Sequence, residues 1–330
     1  QTTVEEIIMA GKNIILCLDG TGNEYGKNIT NVVETYILSQ KTDNQIVYYD
    51  PGIGTGGYLY DENTGKLRAA YDKATGTGVH KNVEQAYLYL MEKYRAGDRV
   101  YIFGFSRGAF SARSLAGMLY KIGLLPNEHD NQLEYASKYY MDKKYHNIIA
   151  DYRENFCRPC PVHFVGVWDT VDSTILTEGA KFSDAKLNPE VKYAYHAISI
   201  DERRKDFPIK LWDEKNLSPG QTMEQVWFAG VHSNVGGWYE NRDLSSIALV
   251  WMIEKAKAAG LKIDANKFAK IKAQQNPVGK IHESYEKFWK FRGDRPRKIP
   301  IKAHVHQSVS TRKNSVAAYN PKIPPSHIVV

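Results

Sequence analysis

Gly104-Phe105-Ser106-Arg107-Gly108 is the segment whose residue types and spacing speak most directly of chemistry. A serine hydroxyl used as a nucleophile must stand clear of its surroundings, and a sharp strand-to-helix turn flanked by glycines achieves this. The competing reading is a glycine-rich turn whose serine caps the following helix. An apolar run, Arg99 to Phe103, precedes the motif and a helix-like stretch follows it, which favours the nucleophile. Serine also needs a base within hydrogen-bond reach, itself oriented by a carboxylate. Asp169 ends the run Val162–Trp168, and His232 lies just past the run Gln225–Gly230. Both are at strand ends, in the chain order serine, acid, histidine. His196 and His129 compete as bases and Asp172 and Asp201 as acids, whereas His163, inside a strand pattern, reads as structural.

An oxyanion formed during acyl transfer requires backbone donors. The Arg107 amide, directly after the serine, is one candidate, and the loop Asp19-Gly20-Thr21-Gly22-Asn23 offers Gly20 and Thr21 as others. A plain tight turn is the alternative for that loop. Asp19, Gly104, Gly108 and Asn234 are assigned to the loops around the site. A strand ending in Asp-Gly-Thr also invites an aspartyl-phosphate phosphatase reading, but the nucleophile position of that chemistry holds Cys17. Gly52 to Gly57 matches a dinucleotide pattern by letter, yet Pro51 precedes it and polar residues follow, so a rim loop is the better reading. Cys157-Arg-Pro-Cys160 has redox-motif spacing but precedes a strand, and a zinc site needs about four ligands. No metal or cofactor is implied.

Positioning such residues calls for an α/β-hydrolase-like fold, a mostly parallel sheet with helices on both faces. Strand signals at Asn13–Leu18, 45–49, Arg99–Phe103 and Val162–Trp168 alternate with helix signals at 31–39, 83–94 and 109–120. A helix-like piece is expected around Tyr193–Ile200, a strand at 225–230 and a helix at 245–259. The Tyr- and Lys-rich stretch 123–161 breaks the alternation and reads as a helical insertion and candidate lid, with a solvated excursion as its alternative. No linker divides the chain, so residues 1–330 read as a single elaborated domain with a basic C-terminal extension, 280–330. The cations of that extension, Lys290, Arg292, Arg295, Arg297, Lys298 and Lys302, read as a solvated charged face.

With 330 residues and 42% apolar content there is material for a large core without disulfides or metal. The net charge of +7 favours approach to an anionic partner, and peripheral contact with an anionic membrane surface is expected rather than nucleic-acid binding. No apolar run reaches transmembrane length and Gln1–Ala10 lacks the pattern of a signal peptide. The expectation is cytoplasmic synthesis, with any export by a non-classical route. Oligomeric state is not legible.

Taken together, Leu18–Asn23, Tyr49–Gly56, Gly104–Ala109, Phe164–Val171, His196 with Asp201–Arg204, and Val226–Gly237 resemble the catalytic-domain family of type VI secretion phospholipase effectors, which includes uncharacterised bacterial and fungal proteins. These blocks fall in order across residues 12 to 255. The resemblance implies an α/β-hydrolase fold, cleavage of phospholipid acyl esters, and a triad carried onto Ser106, Asp169 and His232. Asn234 departs from the family, which usually has Asp there. The leading expectation is a hydrolase of lipid or other acyl esters. Its alternatives are an esterase of small soluble esters and a catalytically silent interaction module.

Overall fold

The computed structural model describes residues 11–20, 26, 28–52, 77–171, 186–286 and 288–330. Asn13–Leu18 forms strand β1 and is buried at every position, as a continuous apolar run must be when both faces of a parallel sheet are covered. It lies between β2 (Gln45–Asp50) and β3 (Arg99–Phe105), and both pairings are parallel. With β4 (Val162–Trp168), β5 (Tyr193–Ser199), β6 (Thr222–Phe228), β7 (His304–Val305) and β8 (Ile328–Val329), the eight-stranded sheet has the order β2-β1-β3-β4-β5-β6-β7-β8. Every pair is parallel. The expected α/β-hydrolase-like architecture is the observed one.

Strand periodicity divides the core into two layers. Ile14, Leu16 and Leu18 face one side, with α2 (Thr77–Lys93) and α3 (Arg107–Lys121). Ile15 and Cys17 face the other, with α1 (Asn31–Leu38) and the later helix Asp243–Ala258. Cys17 is thus a buried core residue, as expected. No helix among the described residues is long and apolar enough to cross a membrane.

The segment 193–200 corrects the sequence expectation: it is β5, not a helix. Its Tyr-, His- and Ile-containing run lies between β4 and β6, where a strand is covered on both sides and the usual alternation is lost. The 123–161 insertion contains α4 (Leu133–Met141) and α5 (Ile149–Phe156). Tyr140 and Tyr152 bury against the α2/α3 layer, and Arg153 Nη1 donates to the Tyr120 carbonyl at 2.7 Å. The Tyr120 contact falls in the C-terminal half of α3, about 21 Å along the helix from Ser106. At the other end of the chain, β7 and β8 extend the sheet, so the C-terminal residues are part of the fold.

Register brings the carboxyl ends of the strands level: Leu18 pairs with Gly104, and Gly104 with Val167. The glycines of the serine turn permit the close approach this needs. A Cβ on Gly108 would lie 2.2 Å from the Leu18 carbonyl oxygen and 2.4 Å from that of Asp19; one on Gly104 would lie 2.4 Å from the Gly108 oxygen. Because these obstacles are backbone, Gly108→Ala is expected to cost about 2 kcal/mol or more by urea unfolding. Gly26→Ala, with open space around it, should stay within about 0.5 kcal/mol. Equal stabilities would refute the packing assigned to Gly108.

Candidate active site

Ser106 joins β3 to α3 with φ 59° and ψ −122°, a conformation outside the usual regions for an L residue. Its side chain makes no capping bond to the helix, contrary to the turn-capping alternative. The Ser106 amide donates to the Trp168 carbonyl at 3.1 Å, so the serine sits beside the end of β4. Asp169, the residue just after that strand, also has positive φ, 45°, and its amide donates to the Ala197 carbonyl at 2.8 Å. Strain of this kind costs about 1–3 kcal/mol per residue and persists only where surrounding bonds enforce it.

His232 opens the short helix α6 (His232–Gly236), which follows β6. Its Nδ1 lies 2.6 Å from Asp169 Oδ2. The imidazole is sandwiched by Phe105, the residue before the serine, at 4.5 Å and Phe207 at 5.0 Å between ring centroids. A Cβ on Gly236 would lie 1.9 Å from the Phe105 ring, so α6 is pressed onto the serine turn. The structure therefore bonds His232 to Asp169 and sets Ser106 at the carboxyl end of the strand next to Asp169. Burial lowers the His232 pKa below its ordinary value, with the Asp169 bond and charge opposing, which leaves the ring neutral near pH 7.

Asp169 is wholly buried and accepts further bonds that the sequence did not suggest. The Ser199 amide donates to Oδ1 at 2.8 Å and the Ser199 hydroxyl to Oδ2 at 3.2 Å. Arg297 Nη2 donates to Oδ2 at 3.0 Å, and Arg297 Nη1 donates to Oδ1. Burial opposes ionisation, but Arg297 and His232 outweigh it and hold the carboxyl well below the usual carboxylate range. Arg297, whose side chain is only 3% exposed, thus corrects the expectation of a uniformly solvated basic face. Lys290, Arg292, Arg295, Lys298 and Lys302 are exposed as expected.

Glu202 is the other unforeseen anchor. It is buried, pairs with Arg204 at 2.8 Å, and accepts the His232 amide at 3.2 Å through Oε2. Both Glu202 and Arg204 belong to the motif block Asp201–Arg204, a signal that marked the segment without revealing its task. Ser199 and Arg297 carried no such mark.

The competing acid and bases are placed elsewhere. Asp201 accepts from the Gly230 amide at 2.6 Å and the Tyr319 hydroxyl at 3.0 Å, tying the end of β6 to the C-terminal segment. His196 is fully buried, its pKa lowered to about 3 by burial, and its Nε2 accepts the Thr170 amide at 3.1 Å. His129 sits on a 3-10 turn in the insertion, and His163 Nε2 donates to the Ala259 carbonyl at 2.9 Å. Asp172 and Thr21 lie outside the described residues, as does the segment 53–57.

Around the serine, Arg107 begins α3, where first-turn amides point out of the helix. Gly20 donates its amide to the Asp19 carboxylate at 2.7 Å; that carboxylate also receives Thr30 at 2.8 Å and Tyr49 at 3.1 Å. Asn234 Oδ1 accepts from the Val231 and His282 amides at 3.3 and 3.2 Å, and its Nδ2 donates to the Lys280 carbonyl at 3.3 Å. An aspartate there could not make the last bond. A cavity of about 330 Å³, lined in part by Arg113, Tyr120, Tyr140 and Trp212, lies along α3 and does not border Ser106. Among the described residues no group of His, Cys, Asp and Glu could hold a metal ion.

Residues 12–255 match the family model described as the catalytic domain of Tle1-like phospholipase effectors of the type VI secretion system. An uncharacterized protein of Saccharomyces cerevisiae is 34% identical over 219 residues, which span 60% of this chain and 32% of that protein, so the chain covers about a third of that relative. An uncharacterized protein from Pseudomonas aeruginosa is similar in structure with a TM-score of 0.45 and 18% identity, over 80% of this chain and 48% of the other. The Tle1 effector bound to the VgrG spike gives a TM-score of 0.41 and 19% identity, over 70% and 52%.

Removing the Asp169 charge would leave Arg297 buried without its counter-ion. Asp169→Asn is therefore expected to lower the unfolding free energy at pH 7 by about 3–5 kcal/mol. Because the carboxyl is depressed in the folded state, its contribution is present above the unfolded value near 3.9 and fades as pH falls through the folded one. In urea titrations the difference between the two proteins should begin to narrow below about pH 4 and keep narrowing as pH falls further; a pH-independent difference would refute the ionised state.

Proposed function

Because the chain belongs to the family of Tle1-like phospholipase effector catalytic domains, we propose that it is a serine hydrolase of carboxylic esters, and specifically of lipid acyl esters. The observation that carries the residue assignment is the 2.6 Å bond between His232 Nδ1 and Asp169 beside the strained turn at Ser106. Ser106 Oγ attacks the ester carbonyl while His232, neutral at pH 7, takes its proton through Nε2. Asp169 stabilises the resulting imidazolium. The Arg107 amide donates to the tetrahedral oxyanion, with a second donor from the loop after β1. Collapse of that intermediate gives an acyl-enzyme and an alcohol, to which His232 returns the proton. Water then releases the carboxylic acid by the same steps.

The lipid part of the reading is supported by family membership and by the surface near the site. Trp289 packs on Phe207 at 5.3 Å, and Phe207 on His232. On the same segment Phe291 is 92% exposed and Ile301 77% exposed, among the exposed cations Lys290, Arg295, Lys298 and Lys302. Apolar side chains set in a cationic surface suit peripheral contact with an anionic bilayer.

Wild-type protein is expected to react with a fluorophosphonate and to hydrolyse p-nitrophenyl butyrate, with Ser106→Ala losing labelling and about 10⁴-fold or more of kcat. The acid limb of kcat/KM should lie below pH 6.5, because a depressed imidazole pKa keeps the base neutral to lower pH. Failure of the wild type to label would sink the serine-hydrolase reading.

On vesicles containing phosphatidylglycerol, Phe291→Ser should slow hydrolysis about tenfold, since burying one phenylalanine contributes about 1.5–3 kcal/mol. Its turnover of the soluble ester should be unchanged. Activity confined to soluble esters in the wild type would refute a lipid substrate.

A further inference from the structure

The C-terminal segment that carries Arg297 lies beyond residues 12–255, the span shared with the family. It is nevertheless built into the site. On one side of Arg297, Arg295 donates its amide to the Arg203 carbonyl at 2.7 Å and Gly293 accepts the Lys205 amide at 3.2 Å. Arg203 also pairs with Asp294, and Arg204 bridges Asp294 through the backbone. On the other side, β7 pairs with β6. The chain therefore delivers Arg297 to the carboxyl ends of β4 and β5 from two fixed ends.

The guanidinium then makes a planar fork. Both terminal nitrogens reach the Asp169 carboxylate, and Nη1 also donates to the Ser199 hydroxyl at 2.6 Å and carbonyl at 3.0 Å. Nη2 donates to the Phe207 carbonyl at 3.2 Å, and Phe207 is the ring packed edge-on against His232. A fork of this kind fixes the plane of a carboxylate, which a point-charge ammonium does not do. The plane of Asp169 in turn sets the direction in which His232 Nδ1 is held.

Resting on the serine-hydrolase reading above, we propose that Arg297 is a positioning residue of the site, fixing the Asp169 carboxylate that orients His232 and making the C-terminal segment part of the catalytic unit. It touches no reacting atom. During proton transfer His232 gains charge; Arg297 keeps Asp169 an anion able to stabilise that charge, and its own cation limits how strongly the imidazolium is favoured. The other charged groups near His232 are Glu202, whose carboxylate accepts the His232 backbone amide, and Arg204, both from the segment after β5. Asp169 comes from the end of β4. Loss of Arg297 removes a cation, so the imidazole pKa should rise and a larger fraction of the base should be protonated at mildly acid pH.

The test uses the full chain and p-nitrophenyl butyrate. Arg297→Gln should lower kcat about ten- to a hundredfold with KM within about threefold, as expected when orientation rather than binding is lost. The acid limb of its pH profile should move to higher pH. Arg297→Lys should restore the acid limb but only part of kcat, because it returns the charge without the fork. A folded Arg297→Gln protein, verified by its melting curve, with wild-type kcat and acid limb would overturn the proposal. If that variant does not fold, Arg297→Lys decides: reduced kcat at unchanged KM supports the proposal, and wild-type kcat overturns it. Should the wild type fail to label with fluorophosphonate, the hydrolase reading falls separately. NMR titration of His232 then reads the coupling directly: an imidazole pKa raised in the Gln variant and returned to the wild-type value in the Lys variant supports the hold on Asp169, and an unchanged value in the Gln variant overturns it.

Discussion

Asp169 is a carboxylate with no access to water, and three distant parts of the chain converge to keep it charged. An ion of this kind survives burial only when donors replace its hydration shell. Here they arrive from the end of β5 through Ser199, from α6 through His232, and from the C-terminal segment through Arg297. These elements are far apart in the chain, so the acid cannot be satisfied until the sheet is assembled on both sides of it. The same dependence makes the site rigid: a carboxylate saturated with donors has little freedom to turn, and neither has the imidazole bonded to it.

Close backbone approach supplies the second constraint. Gly108 lies against the carbonyls of Leu18 and Asp19, and Gly236 lies against Phe105. Through these contacts β1, the serine turn and α6 are held at distances that a methyl group would break. Positive φ at both Ser106 and Asp169 places strained residues at the ends of adjacent strands. Their amides are locked to Trp168 and Ala197, which is how the sheet maintains a conformation that the isolated segments would abandon.

The C-terminal segment changes the picture of where the functional unit ends. It completes the sheet with two short strands, supplies Arg297 to the acid, and binds Asp201 through Tyr319. Arg312 caps the Pro277 and Gly279 carbonyls at 2.9 and 2.6 Å, which steadies the stretch leading to His282 and Asn234. Its basic composition thus conceals two environments: cations in solvent and cations that hold the interior together.

Local pattern sufficed for the strand–turn–helix around Ser106, for the buried strand β1, and for the order of Ser106, Asp169 and His232. Each rests on short-range rules: two-sided burial gives a continuous apolar run, and a tight turn needs glycine. Periodicity failed at Tyr193–Ser199, because a central strand covered on both faces loses the alternation that distinguishes it from a buried helix. It failed again at Arg297, since an arginine in a basic run looks the same in sequence whether its guanidinium meets water or a carboxylate 128 residues earlier. Sequence by itself determined the fold class, the family and the residue types available for chemistry. Only the tertiary structure decided which carboxylate meets which imidazole and which cation keeps it charged, because those partners are chosen by strand register and long-range packing rather than by any neighbour in the chain.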